Sequence, residues 1–81
     1  MYYIYILSSL IKRKSYVGCT DDLERRLSEH NSAKNYFTKR HIPWKIIYTE
    51  SFSEKAEALK REKYFKSSSG RKRLKQIFAT I

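Results

Sequence analysis

A few side chains in this sequence are suited to acid–base chemistry on a phosphate ester. Tyr5 and Tyr16 lie in two short aromatic and β-branched segments, Arg26 and His30 share a later helical segment, and Glu62 lies in another. A carboxylate can hold one hard cation, a tyrosine hydroxyl can take up a proton, and an arginine can neutralise charge on phosphate oxygens. Together these residues form a usable set for hydrolysing a phosphodiester.

Arg26 and Glu62 are notable because helical periodicity places both beside apolar side chains. At 100° per residue, Leu23 and Leu27 define the apolar side of the first helix, with Arg26 next to them and Arg25 on the far side. Glu62 falls in the middle of the apolar side of the second helix. Burying a charged group costs several kcal/mol unless it is paired or holds an ion. Each residue therefore needs either a neighbouring charge or a place in a functional site.

The pattern of apolar residues predicts six elements that would position these side chains. The sequence order β-β-α-β-α-α predicts an α+β fold in one domain over residues 1–81, with three helices flanking a three-stranded antiparallel sheet. The predicted strands cover residues 1–8, 15–19 and 44–52, and the predicted helices cover residues 20–30, 53–65 and 71–78.

Two connections between these elements read as irregular. Residues 32–43 are polar and basic without a clear period, which predicts a loop. Its Asn35, Thr38 and Lys39 could face the site or lie in solvent. Residues 67–70, Ser-Ser-Ser-Gly, read as a break before the last helix.

Composition narrows the class of protein. The 81 residues carry 18 Lys and Arg against 8 Asp and Glu, a net charge of +10, which predicts a polyanionic partner. A single cysteine, Cys19, excludes an internal disulfide framework and a cysteine-based zinc site. The longest apolar run, Met1 to Leu7, is too short to span a bilayer and is unlike a signal peptide, so we expect a cytoplasmic protein.

The basic residues form two clusters, one at the predicted hairpin tip and one between residues 60 and 75. Two clusters and a large net charge favour phosphate contacts over a merely solubilising surface. A membrane is the competing partner, but the apolar face of the last helix is too small to anchor the protein. The residues we expect to bind nucleic acid are Lys12, Arg13, Lys14, Lys39, Arg40, Lys63, Lys66, Arg71, Lys72 and Arg73.

Several short motifs occur in an order that resembles a known family. These motifs are Tyr3-Ile4-Tyr5, Tyr16-Val17-Gly18, Leu23, Arg26, Pro43-Trp44 and Arg61-Glu62. In their order and spacing the chain is similar to the GIY-YIG nucleases, and more closely to the small stand-alone bacterial proteins of that superfamily. It departs from the family motif at Tyr3, where the family has its first glycine.

The resemblance implies an endonuclease that uses one divalent metal ion, Mg²⁺ or Mn²⁺. By position, Glu62 would be the metal ligand, Arg26 would contact the scissile phosphate, and Tyr16 would lie near the attacking water. Tyr5 would be the other motif tyrosine, and His30 the family's helix histidine. The helical wheel and the motif agree in selecting Arg26 rather than Arg25.

These observations predict a metal-dependent endonuclease that acts on DNA in preference to RNA. Nothing in the chain resembles a helix-turn-helix or a zinc finger, so we expect recognition of nucleic-acid structure rather than of sequence, or targeting by a protein partner. The alternative is a basic nucleic-acid-binding module of the same fold with little or no turnover. The sequence does not indicate an oligomeric state.

Overall fold

A three-stranded antiparallel sheet with helices on both faces forms the fold. The structure is a computed structural model that describes residues 1–80. The predicted α+β class and the order β-β-α-β-α-α are confirmed. The elements are β1 (Tyr2–Ser9), β2 (Ser15–Thr20), α1 (Leu23–Asn31), a 3₁₀ turn (Thr38–His41), β3 (Trp44–Phe52), α2 (Lys55–Phe65) and α3 (Ser68–Ala79).

Strand β1 is the centre of the sheet, with β2 and β3 as its antiparallel neighbours. Its residues 4–7 are all buried, which explains why this segment is apolar on both faces rather than alternating. Ile4 and Ile6 pack on one face against Ala58 and Phe65 of α2 and Ile77 of α3. This face forms the larger core cluster.

The opposite face of the sheet is covered by α1. Tyr5 and Leu7 of β1 pack there with Trp44 of β3, and Leu23 and Leu27 of α1 cover them. The Asp22 side chain caps α1 by accepting a hydrogen bond from the backbone N–H of Arg25. Because the two leucines face the sheet, the side chains beside them on α1 reach the buried hydroxyl of Tyr5.

The expected break before the last helix is present, but it covers Lys66 and Ser67 rather than residues 67–70, because α3 already begins at Ser68. The Ser67 hydroxyl accepts a hydrogen bond from the backbone N–H of Gly70 at 3.3 Å and so caps the helix. A Cβ at Gly70 would lie 2.6 Å from the carbonyl carbon of Tyr64. The glycine therefore permits close packing between α2 and α3 rather than ending a helix.

The loop expected over residues 32–43 contains the 3₁₀ turn Thr38–His41, and its residues differ in exposure. Thr38 is fully buried, while Lys39 is exposed. The Asn35 side chain accepts a hydrogen bond from the backbone N–H of Thr38 at 3.1 Å. The Trp44 indole N–H donates to the Thr38 carbonyl oxygen at 2.8 Å. Thr38 is thus fixed beneath α1, and its placement in solvent is excluded.

Candidate active site

An open pocket of about 390 Å³ lies between α1, α2 and the edge strand β2. It brings together four of the five predicted catalytic residues: Tyr5, Tyr16, Arg26 and Glu62. The fifth, His30, is buried behind them. The other lining residues are Tyr2, Gly18, Cys19, Thr20, Asp21, Arg25, Glu29, Lys55 and Leu59.

Tyr5 reaches the pocket across a glycine on the neighbouring strand. Gly18 is directly opposite Tyr5 in the β1–β2 pairing. A Cβ at Gly18 would lie 2.5 Å from Tyr5 Cζ, well inside van der Waals contact. The glycine is therefore required for the tyrosine ring to occupy this position. Only the closeness of the two strands reveals that requirement.

Arg26 contacts Tyr5 and also an acidic residue that the sequence analysis did not select. Its Nε donates to the Tyr5 hydroxyl at 3.3 Å, and its Nη1 donates to Glu29 Oε1 at 2.9 Å. These bonds raise the pKa of Arg26 and keep it charged, while the bond from Arg26 lowers the pKa of Glu29. Within residues 1–80, no hydrogen bond engages Nη2 of Arg26, which leaves its two N–H groups for a phosphate. The i,i+3 spacing could have identified Glu29.

Arg25 lies at the outer rim of the same pocket, although the helical wheel placed it on the far side of α1. Its side chain is 56% exposed and pairs with Asp21 at 3.0 Å. No hydrogen bond within the described chain joins it to Tyr5. The two neighbouring arginines therefore differ in environment: Arg26 contacts the buried tyrosine, and Arg25 is a solvent-exposed rim charge.

His30 is completely buried and connects Tyr5 to the 3₁₀ turn. Its Nε2 lies 2.9 Å from the Tyr5 hydroxyl, and its Nδ1 lies 2.8 Å from Thr38 Oγ1. With the imidazole proton on Nδ1, the Tyr5 hydroxyl donates to Nε2 and Nδ1 donates to Thr38 Oγ1; with the proton on Nε2, these donor and acceptor roles are reversed. Burial, together with the charge of Arg26, lowers the pKa of His30, which favours the neutral imidazole in either tautomer.

His30 therefore orients the Tyr5 hydroxyl and has no access to a substrate in the pocket. Thr38 completes the chain through its hydrogen bond with His30 Nδ1, and it comes from a segment with no regular sequence pattern. Burial also raises the pKa of Tyr5 to about 12, so this hydroxyl is protonated in the free protein. Buried hydrogen bonds thus connect Tyr5, His30 and Thr38, and Arg26 contacts the Tyr5 hydroxyl from the pocket side.

Tyr16 is half-buried at the pocket wall, next to Tyr5 and His30. Its ring centroid lies 4.9 Å from that of His30 and 6.4 Å from that of Tyr5. The Tyr16 hydroxyl makes no hydrogen bond to any group of residues 1–80, and the Lys66 ammonium lies 5.9 Å from its ring centroid. This hydroxyl is available to a molecule in the pocket.

Glu62 faces the pocket from α2, opposite Arg26. Its neighbour Arg61 points the other way and makes a two-point ion pair with Glu50 of β3 at 2.8 and 3.1 Å, which fixes the rotation of α2. Glu62 is 21% exposed and pairs with Lys66, itself 53% exposed, at 3.0 Å. An exposed i,i+4 pair contributes only about 0.3–0.5 kcal/mol, so Lys66 is easily displaced.

Metal binding at this site would depend on Glu62 alone. Across residues 1–80, no group of three or more His, Cys, Asp or Glu side chains could hold a metal ion. Two other carboxylates line the pocket, but Asp21 and Glu29 are each paired with an arginine. A hard cation that takes one carboxylate and keeps most of its waters fits this donor set, whereas a zinc-like site with several protein ligands does not.

The predicted nucleic-acid-binding residues do not form one group. Lys66 pairs with Glu62 of the pocket, Arg71 lines a neighbouring depression with Lys66, and residues 12–14 form the hairpin tip. Arg73 lies 6.0 Å from the centroid of the Tyr48 ring, and Lys63 and Lys72 are exposed on α2 and α3. Lys39 and Arg40 lie elsewhere, against the exposed ring of Tyr36. None of the helices that the structure describes contains a stretch long and apolar enough to cross a membrane.

Comparison with known proteins assigns the family. The model of the GIY-YIG catalytic domain matches residues 1–75. A UPF0213 protein of Staphylococcus saprophyticus is 40% identical over 80 residues, which cover 94% of this chain and 93% of that protein. A UPF0213 protein of Bacillus licheniformis is 38% identical over 77 residues, covering 94% of this chain and 78% of that protein.

A solved structure agrees with these relatives. The solution NMR structure of a UPF0213 protein from Bacillus halodurans shares 32% identity and has a TM-score of 0.57, and the match covers 98% of this chain and 85% of that one. The resemblance inferred from the short motifs is thereby confirmed. The chain belongs to the GIY-YIG nuclease family, among the small bacterial UPF0213 proteins.

Proposed function

We propose that this protein is a metal-dependent endonuclease that hydrolyses phosphodiester bonds in DNA. The observation that carries the proposal is that one pocket is lined by Arg26, Glu62 and the two tyrosines Tyr5 and Tyr16. A cationic group, a carboxylate and two phenols on converging elements are what phosphodiester hydrolysis requires of a protein. Membership of a nuclease family supports the same conclusion.

Each side chain has a distinct part in the proposed reaction. Arg26 binds a phosphate oxygen through Nη2 while Tyr5 and Glu29 hold its guanidinium plane. Tyr16 presents its free hydroxyl to the attacking water. Glu62 would hold one Mg²⁺ or Mn²⁺ ion, which supplies positive charge beside the phosphate when bound.

Tyr5 is the second phenol at the reacting centre. Its hydroxyl lies 2.9 Å from His30 Nε2 and 3.3 Å from Arg26 Nε, and these two neighbours orient it within the pocket. His30 is a positioning residue in this scheme because it is completely buried and its two ring nitrogens contact Tyr5 and Thr38.

We propose that the protein acts in the cytoplasm on DNA that it recognises by structure rather than by sequence. A targeting protein could bring it to that DNA. No element among those described projects from the domain as a separate reader of base edges, and the net charge of +10 favours contacts to phosphates. If about four to six phosphates are contacted, the slope of log K against log salt concentration should be about −3 to −5.

The decisive experiment compares cleavage of branched, nicked, single-stranded and duplex DNAs and of RNAs, with Mg²⁺, with Mn²⁺ and with a chelator. Cleavage that requires the metal and is lost in Glu62→Gln supports the proposal, because an amide is a poor ligand for a hard cation. The matched control is Glu57→Gln, an exposed acid of α2 outside the pocket. Cleavage by Glu62→Gln at the parent rate would remove Glu62 from the site.

A second candidate function is a nucleic-acid-binding module with little or no turnover. It is favoured by one observation: within residues 1–80, Asp21 and Glu29 of the pocket are paired with arginines, and the remaining carboxylate, Glu62, is paired with Lys66. Salt-dependent binding of the whole panel without cleavage in either metal would establish this alternative.

A further inference from the structure

The active-site pocket adjoins two further depressions along the edge strand β2. One, of about 490 Å³, is lined by Tyr16, Lys66 and Arg71. The other, of about 800 Å³, lies between the hairpin tip and the end of α3 and is lined by Lys14 and Lys75. Tyr16 is shared by the pocket and the first depression, and Lys75 by the two depressions, so the three form one continuous surface.

The charges along this surface are of one sign. Within residues 1–80, no acidic side chain lines either depression. Arg71, Lys75 and Lys14 also form no ion pair there, whereas Arg26 and Lys66, nearer the pocket, are each paired with a glutamate. Unpaired cations repel one another, so they favour an anionic ligand that contacts several of them at once.

The backbone adds donors to the same surface. Because β2 pairs only with β1, the backbone groups on its outer side have no strand partner in the described chain. Residues 15–17 of β2 line the first depression, and Ser15 also lines the second. Six residues of strand span about 20 Å, enough for several consecutive phosphates. Lysines beside an edge strand can have a simpler role, which is to prevent edge-to-edge association between molecules. The test below distinguishes this role from phosphate binding.

We propose that Lys66, Arg71, Lys75 and Lys14, here called the basic track, bind successive phosphates of the DNA strand on one side of the scissile bond. The proposal rests on the function proposed above and adds a direction: the strand leaves the pocket past Tyr16 and follows β2 toward the hairpin tip. It also adds Lys75, which the sequence analysis did not select, and excludes Lys39 and Arg40, which lie off this line.

The test measures DNA binding in the presence of a chelator, so that turnover plays no part. The double variant Arg71→Gln/Lys75→Gln removes two exposed track charges, and Lys45→Gln/Lys60→Gln removes two exposed charges that line none of the three cavities. We expect the track variant to bind up to about 60-fold more weakly at 0.1 M salt, with a salt slope shallower by about 2. The control pair should change affinity by only a few-fold.

Amide chemical shifts of the parent protein, recorded during titration with the same DNA, give an independent map. We expect shifts at residues 14–17 and 66–75 and none at Lys45 or Lys60. Equal weakening by the two double variants, or shifts confined to residues 36–40, would overturn the track while leaving DNA binding intact. A parent protein that binds no DNA would overturn the proposed function as well, so the two failures are distinguishable.

Discussion

Gly18→Ala offers a sharp test of how the candidate site is built. The new Cβ would lie 2.5 Å from Tyr5 Cζ, whereas carbon atoms make ordinary contact at about 3.5–4.0 Å. The tyrosine ring must therefore retreat by about 1 Å. Its hydroxyl lies 2.9 Å from His30 Nε2 and 3.3 Å from Arg26 Nε, and we expect a displacement of that size to break one or both of these bonds.

The expected cost follows from these two bonds. A lost hydrogen bond costs about 0.5–1.5 kcal/mol, and leaving the buried His30 Nε2 without a partner adds about 1–3 kcal/mol. We therefore expect Gly18→Ala to lower the free energy of unfolding by about 2–4 kcal/mol. If Tyr5 takes part in cleavage, a displacement of about 1 Å should also slow the single-turnover rate by about 100-fold.

The assay is urea unfolding of Gly18→Ala in two backgrounds. Tyr5→Leu lacks both the Cζ atom and the hydroxyl, so it removes the clash. In that background Gly18→Ala should be neutral or slightly stabilising, because alanine restricts the unfolded chain more than glycine does. An equal cost in both backgrounds, or no cost beside Tyr5, would refute the argument that the glycine exists to admit the tyrosine ring.

Three further predictions test the charges, the pH dependence and a helix end. Arg26→Ala should lower the single-turnover cleavage rate by about 10²–10³-fold, because Arg26 contacts Tyr5 inside the pocket. Arg25→Ala removes the same charge from the exposed rim and should lower the rate by less than about tenfold. Equal losses would show that only general charge matters. Burial raises the pKa of Tyr5 from 10.0 to about 12, so above pH 10 the unfolded chain loses this proton before the folded protein does. The free energy of unfolding should therefore fall by about 2–3 kcal/mol as the pH rises from below 10 to 12. Tyr5→Phe should show a correspondingly smaller alkaline loss in denaturant titrations, and an identical loss would contradict the assignment. Ala33 follows α1 with a φ of 65°, a left-handed conformation that costs alanine about 1–2 kcal/mol. Ala33→Gly should therefore raise the free energy of unfolding of the protein by about 0.5–1 kcal/mol, and a loss of stability would contradict this expectation.

The candidate site was predictable to the extent that it depends on helical periodicity. Leu23 and Leu27 fix which side of α1 faces the sheet, and this alone brings Arg26 rather than Arg25 to the Tyr5 hydroxyl. Glu62 was identified in the same way, as a carboxylate on an apolar helix face. Periodicity also offers their charged partners, since Glu29 lies three residues from Arg26 and Lys66 four residues from Glu62. It could not supply the contact between Arg26 and Tyr5, because these residues belong to different elements.

The sequence by itself determined the order of the elements, the doubly covered central strand and the helix faces, because these depend on residues within one or two turns of each other. Tertiary structure decided the role of both glycines and of Thr38. Gly18 and Gly70 are needed where another element approaches within van der Waals distance, and Thr38 is buried because Trp44 and His30 bind it from either side. Such requirements are set by residues distant in the chain, so the local pattern of a glycine or a polar loop cannot distinguish a close contact from a break.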